Sequence, residues 1–141
     1  SAEMNGQDIP FYCMDVRDAP DALGRGAFSA AVCNPPYFTE QASVAGTARA
    51  AARHAADGEL NDFCASAFQL LKNGGKFFLC FPCAGLARLM RALTDNRLEP
   101  KRMQMVSVAS DRAPYLLLIE AKKLAKPGLI MLPTLVLEQT T

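Results

Sequence analysis

The sequence predicts an α/β fold, a doubly wound sheet built on parallel strands, and three observations carry that expectation. Apolar runs alternate with stretches of helical spacing between Phe28 and Leu93. The run from Phe28 to Cys33 is continuous rather than alternating, as in a parallel strand covered on both faces, so it is expected to lie centrally. It then stops at Asn34-Pro35-Pro36-Tyr37-Phe38. Each proline fixes its own φ and pushes the residue before it toward extended geometry, which makes this a stiff corner at the carboxyl end of a strand. Open α/β sheets place their ligands at such ends.

With 141 residues, half of them hydrophobic, the chain suffices for one domain, residues 1–141. No apolar run approaches the ~20 residues of a membrane span, and Ser1 to Ile9 lacks a basic-then-apolar leader, so a soluble, cytoplasmic protein is expected. The net charge of +1 conceals an imbalance: residues 1–71 are acidic on balance and residues 72–126 basic. A basic C-terminal half can meet phosphate or simply face solvent. The five cysteines are an odd number set mostly in apolar segments, which fits reduced core thiols. Cys80-Phe81-Pro82-Cys83 has redox or zinc spacing, but with no second pair and one histidine it reads as a strand end, and no metal is expected.

In chain order, Ile9 to Met14 is a short apolar run ending at Asp15-Val16-Arg17-Asp18, read as a strand and loop. After the corner, Thr39 to Asp57 carries Ala, Gly and Ser with Arg49, Arg53 and His54, a composition compatible with helix or mobile loop. Leu60, Phe63, Cys64, Ala67, Phe68 and Leu71 follow amphipathic helical spacing, with a stop at Asn73-Gly74-Gly75. Lys76 to Phe81 is a second buried strand, and Leu86, Leu89, Met90 and Leu93 mark a helix ending near Asn96. Only Ser110-Asp111-Arg112-Ala113-Pro114 and its flanks separate the strands 102–108 and 115–121, too little for a crossover helix, so they are expected to pair antiparallel. Residues 129–137, broken by Pro133, read as an extended terminal segment.

The corner suits one task. The Asn34 side-chain oxygen and the Pro35 carbonyl can accept the two N–H bonds of a planar exocyclic amine, while the Tyr37 ring offers a flat face to a base. No nucleophile is required of the protein: the amine nitrogen attacks, and acceptors aimed at its hydrogens stabilise the charge it gains. An ordinary rigid turn is the alternative reading of Asn-Pro-Pro-Tyr.

Asn34-Pro35-Pro36-Tyr37 resembles the motif of S-adenosylmethionine-dependent amino methyltransferases. Together with Ala52-Arg53-His54, Leu70-Leu71-Lys72-Asn73-Gly74-Gly75, Leu98-Glu99-Pro100 and Lys126-Pro127-Gly128-Leu129, it is similar to the bacterial tRNA adenine N6-methyltransferases over nearly the whole chain. The resemblance implies a Rossmann-like class I methyltransferase fold closed by an antiparallel hairpin, with S-adenosylmethionine as cofactor and tRNA as substrate. It implies catalytic roles for Asn34, Pro35, Pro36 and Tyr37, and cofactor contacts by Asp15, Val16 and Asn34. Tyr37, Phe38, Arg49, Arg53 and His54 would face the base or the RNA; the last three equally fit a solvated helix face.

The chain departs from the family pattern by having no strand, glycine-rich turn and acidic ribose ligand ahead of residue 9; Gly24-Arg25-Gly26 precedes a strand instead of following one. It therefore reads as the C-terminal portion of a family member, inactive by itself, with little cofactor affinity expected. A non-catalytic RNA- or protein-binding chain keeping the fold, and a protein glutamine methyltransferase sharing the tetrapeptide, are the alternatives. With its first strands missing, the edge of the Phe28 to Cys33 strand is expected to pair with a relocated Ile9 to Met14 strand or with a second copy in a homodimer.

Overall fold

The computed structural model describes residues 6, 8–35 and 46–138. A 3-10 turn (Val16–Asp18) and a short helix α1 (Ala19–Leu23) lead into β1 (Phe28–Cys33). After the corner come α2 (Gly46–Leu70), β2 (Leu71–Pro82), a second 3-10 turn (Cys83–Gly85) and α3 (Leu86–Asp95). The hairpin β3 (Leu98–Ser107) and β4 (Leu116–Lys123) follows, then the two-residue strands β5 (Ile130–Met131) and β6 (Leu135–Val136). The sheet order is β1-β2-β4-β3-β5, with β6 also on β3. β1 and β2 are parallel, and β4 is antiparallel to both β2 and β3. Consequently β1, β2 and β3 all point one way. Among the described residues no helix is long and apolar enough to cross a membrane.

Helix α2 is longer than the spacing of its apolar residues indicates. Alanines and arginines, both good helix formers, extend it upstream to Gly46. Ala56, Leu60, Cys64 and Ala67 form the stripe that it buries on the sheet. The helix ends at Leu70 and β2 starts at Leu71, ahead of the expected stop, so Asn73-Gly74-Gly75 falls inside the strand. Gly74 has φ of 78°, and the β1–β2 register slips between Phe28↔Leu71 and Ala30↔Lys76. The glycines thus absorb the change from helix to ladder instead of terminating the helix. Lys123 closes this junction: its buried ammonium donates to the Leu71 carbonyl at 2.7 Å and sits 4.2 Å from the Phe68 ring centroid.

Alternation along β2 puts Phe77, Leu79 and Phe81 under the helices with Leu89, Leu93, Met103, Leu117 and Ile119. α3 can approach because residue 85 is glycine: a Cβ there would overlap the Phe81 ring. The opposite face, with Phe78, Cys80, Leu118, Gln104 and Arg102, is only partly covered. On it Glu120 is buried between two cations, taking two bonds from Arg102 (2.7 and 3.1 Å) and lying 3.4 Å from Lys76 Nζ. Those bonds, the Arg102 pair first, hold the Glu120 carboxyl below the ordinary glutamate range.

Two expectations about the N-terminal third require correction. β1 lies at the edge of the described sheet, not its centre, and Val32 is 81% exposed. A continuous small and apolar run marks a strand capable of being covered, and among the described residues only β2 offers backbone to it. Residues 9–14 form no strand. Pro10 removes a donor and nothing described pairs with the segment, so Phe11 and Tyr12 remain exposed at 76% and 63%. The remaining strands, α3, the hairpin and the broken terminal segment follow the sequence pattern.

The lowered Glu120 pKa fixes the sign of a pH effect. Its contribution is present above the unfolded-state value of about 4.3 and is lost as pH falls through the folded-state value. Glu120→Gln should cost about 1 kcal/mol at neutral pH, with both cations half exposed and therefore partly screened. In urea titrations, the gap between wild type and variant should narrow as pH drops below about 4.

Candidate active site

The site is assembled at one sheet edge. Because β1, β2 and β3 are parallel, Asn34-Pro35 after β1, the turn Cys83–Gly85 after β2 and the loop after β3 share that edge. Pro35 is buried and Asn34 exposed, so the proline ring anchors the corner beneath a residue that reaches solvent. Pro36, Tyr37 and Phe38 lie outside the described residues. A cleft of about 440 Å³ runs from Asn34 across the partly covered sheet face, past Phe78, Leu118 and Gln104 to the Arg102–Glu120 pair. Its lining is mainly apolar around a few convergent polar groups, the usual make-up of a small-molecule site.

α2 runs antiparallel to β2, so its first turns rise at this same edge and carry Arg49, Arg53 and His54. Arg49 is half-buried, and its Nε has no hydrogen-bond partner among the described residues. Arg53 and His54 are exposed. The structure therefore gathers these three side chains at the end of the fold that carries Asn34, on the helix that follows the corner.

Asp15 and Val16 stand elsewhere. The Val16 carbonyl accepts from Ser66, in the last turns of α2, toward the opposite sheet edge. The Asp15 carboxylate is committed to Arg17: Oδ1 accepts from its backbone N–H and Nε, and Oδ2 from Nη2 at 2.7 Å. These bonds hold its pKa down at about 2. In this arrangement the Asp15 carboxylate is bonded to Arg17 and the Val16 carbonyl to Ser66, away from the edge that carries the exposed Asn34.

Three of the thiols are held in the neutral form by burial. Burial pushes Cys33, next to Asn34, up to about 11 and Cys64 up to about 12, and raises Cys83 as well. None of the five cysteines is in a disulfide. The sequence marks the loop between β3 and β4 only as a short connection. Placing β4 between β2 and β3 brings it to the same edge as Asn34, and the Tyr115 carbonyl accepts from Cys83 N–H at 3.0 Å.

No protein-family model matches the chain. Among solved structures, a predicted O-methyltransferase from Agrobacterium tumefaciens superposes with a TM-score of 0.66 at 17% identity, covering 86% of this chain and 51% of that one. A Thermus thermophilus protein described as a DNA modification methylase, complexed with S-adenosyl-L-methionine, superposes with a TM-score of 0.62 at 13% identity, covering 81% and 53%. The fold is that of the class I methyltransferases. In sequence, the chain is 33% identical over 90 residues, 63% of its length, to the tRNA1(Val) (adenine(37)-N6)-methyltransferase of Shewanella sp. (strain W3-18-1). It is 31% identical over 87 residues to the Shewanella loihica protein of the same name. The matched stretches make up 38% and 36% of those relatives.

The thiol environments give a direct test. With iodoacetamide near neutral pH, exposed Cys13 should be modified first, Cys33 should lag and accelerate as pH approaches 11, and Cys64 should react only after unfolding. Mass spectrometry of timed aliquots reads the order.

Proposed function

We propose that this chain carries the substrate corner of an enzyme that methylates the exocyclic N6 amine of an adenine in tRNA, in the cytoplasm, with S-adenosylmethionine as methyl donor. The observation that carries the reading is Asn34-Pro35 at the carboxyl edge of β1, with the proline buried and the amide exposed. The names of the sequence relatives support the substrate, and the fold supports the donor. When bound, the cofactor supplies an electrophilic methyl group. The Asn34 side-chain oxygen and the Pro35 carbonyl accept the two amine N–H bonds, orient the nitrogen lone pair and stabilise the positive charge that develops on nitrogen. Pro36 keeps the corner stiff, and Tyr37 and Phe38 provide ring faces for a base that has left its stack.

The position of Asp15 and Val16 beside Ser66 supports the further reading that residues 1–141 alone have little affinity for the cofactor. Pairing of two chains across the outer edge of β1 rests on that edge alone. Light scattering on the isolated chain should show a dimer if the edge is satisfied in this way; a monomer removes the proposal.

The decisive assay incubates the protein, in its longest natural form, with methyl-labelled S-adenosylmethionine and unmodified tRNA and looks for N6-methyladenine. Asn34→Ala should lower single-turnover methylation about a hundredfold, or ~3 kcal/mol, with cofactor affinity little changed. Tyr37→Ala should impair base placement, whereas Tyr37→Phe should be mild. Near-normal methylation by Asn34→Ala would remove Asn34 from the reaction.

A further inference from the structure

We infer that Arg112, in the loop between β3 and β4, is a built contact for a phosphate of the RNA whose base is presented at Asn34; this rests on the RNA-substrate reading above. The loop lies at the carboxyl edge of the sheet, and it is held. Ser107, 2% exposed, places its hydroxyl 2.6 Å from the Ala109 carbonyl and 2.7 Å from the Arg112 carbonyl, one proton shared between two loop acceptors. The Arg112 N–H donates to the Ala109 carbonyl at 3.1 Å, so Arg112 is fixed at both its backbone donor and its backbone acceptor. At the loop's far end Tyr115 N–H donates to the Val106 carbonyl at 3.1 Å. From the terminal segment, Leu137 N–H donates to the Ser107 carbonyl at 2.9 Å.

A buried hydroxyl spent on two loop carbonyls is a large commitment for a connection whose outward side chains pack on little. What it fixes is an exposed arginine whose guanidinium forms no ion pair among the described residues. The contrast with Arg17, Arg25, Arg88 and Arg102 is direct, since each of these is taken up by a carboxylate at 2.6–2.8 Å. A planar fork on an ordered backbone matches phosphate geometry with less side-chain ordering left to be done on binding. Arg49, Arg53 and His54 stand at the same edge on α2, whereas Arg112 comes from β3–β4. Asn34 therefore lies on an edge with cationic groups from two separate elements, which suits a strand whose phosphates are held while one base is offered to the corner. Asp111 adjoins Arg112 and is the one acidic residue of the loop. Ser107 acts here as a positioning residue.

The test is RNA binding by fluorescence anisotropy across a salt series, using the protein in its longest natural form and an unmodified RNA stem-loop with an adenine in the loop. Arg112→Ala should weaken binding roughly fivefold near 0.1 M salt and reduce the log–log salt slope by about 0.7–0.9, the signature of one lost phosphate. Arg112→Lys should keep the slope. Ser107→Ala should speed amide exchange in residues 108–114 and weaken binding, with Ser107→Thr restoring both. A wild-type protein that binds the stem-loop with an unchanged slope in Arg112→Ala overturns this inference while leaving the proposed function standing. A wild-type protein that binds no RNA overturns both.

Discussion

Insertion of β4 between β2 and β3 is the constraint on which the arrangement of the edge depends. Had β3 paired directly with β2 in an antiparallel hairpin, its carboxyl end would lie at the opposite edge from Asn34. Because β4 takes the middle position, antiparallel to both, β3 runs with β2 and its carboxyl end returns to the side of the corner. The core is consistent with this order. Phe77, Leu79 and Phe81 meet Ala121, Ile119 and Leu117 pair by pair across the β2–β4 ladder, and a slip by one residue would turn all of these side chains to the other face.

The two faces of the sheet are stabilised by different physics. Beneath α2 and α3 the contacts are apolar and the polar exceptions are satisfied, as with Lys123 on the Leu71 carbonyl. On the other face three strands are tied by a charge triad, Lys76 from β2, Glu120 from β4 and Arg102 from β3. The carboxylate is the buried member and the cations are half exposed, so the triad fixes cross-strand register more than it adds stability.

Much of this was legible because the relevant signals are local. The helical spacing of Leu86, Leu89, Met90 and Leu93, the short link between the strands of the hairpin, and the Pro133 break in the terminal segment each appear as expected. The end of β1 was legible for the same reason, since the strand stops at Cys33 where Asn34 and the prolines begin. Position in the sheet is a non-local property. The Phe28–Cys33 run says that a strand can be covered, not whether a neighbour is present, and residues 9–14 show how an apolar run with an early proline remains unpaired without one. The place of the 108–115 loop was hidden because the edge it shares with Asn34 follows from strand order, which no local pattern encodes. The Asp15–Arg17 and Val16–Ser66 bonds were not legible either, the second because it joins residues 50 apart in the chain.

The contact between Gly85 and the Phe81 ring limits the mutational paths open to this fold. Any side chain at residue 85 meets that ring, so the two positions are epistatic: a methyl at 85 is damaging with Phe81 in place and tolerable once residue 81 has become smaller. Shrinking residue 81 first leaves a void that costs stability but keeps the turn, whereas enlarging residue 85 first displaces α3 from the sheet. Drift at this turn should therefore proceed in one order, and reversion should become difficult once both positions have changed.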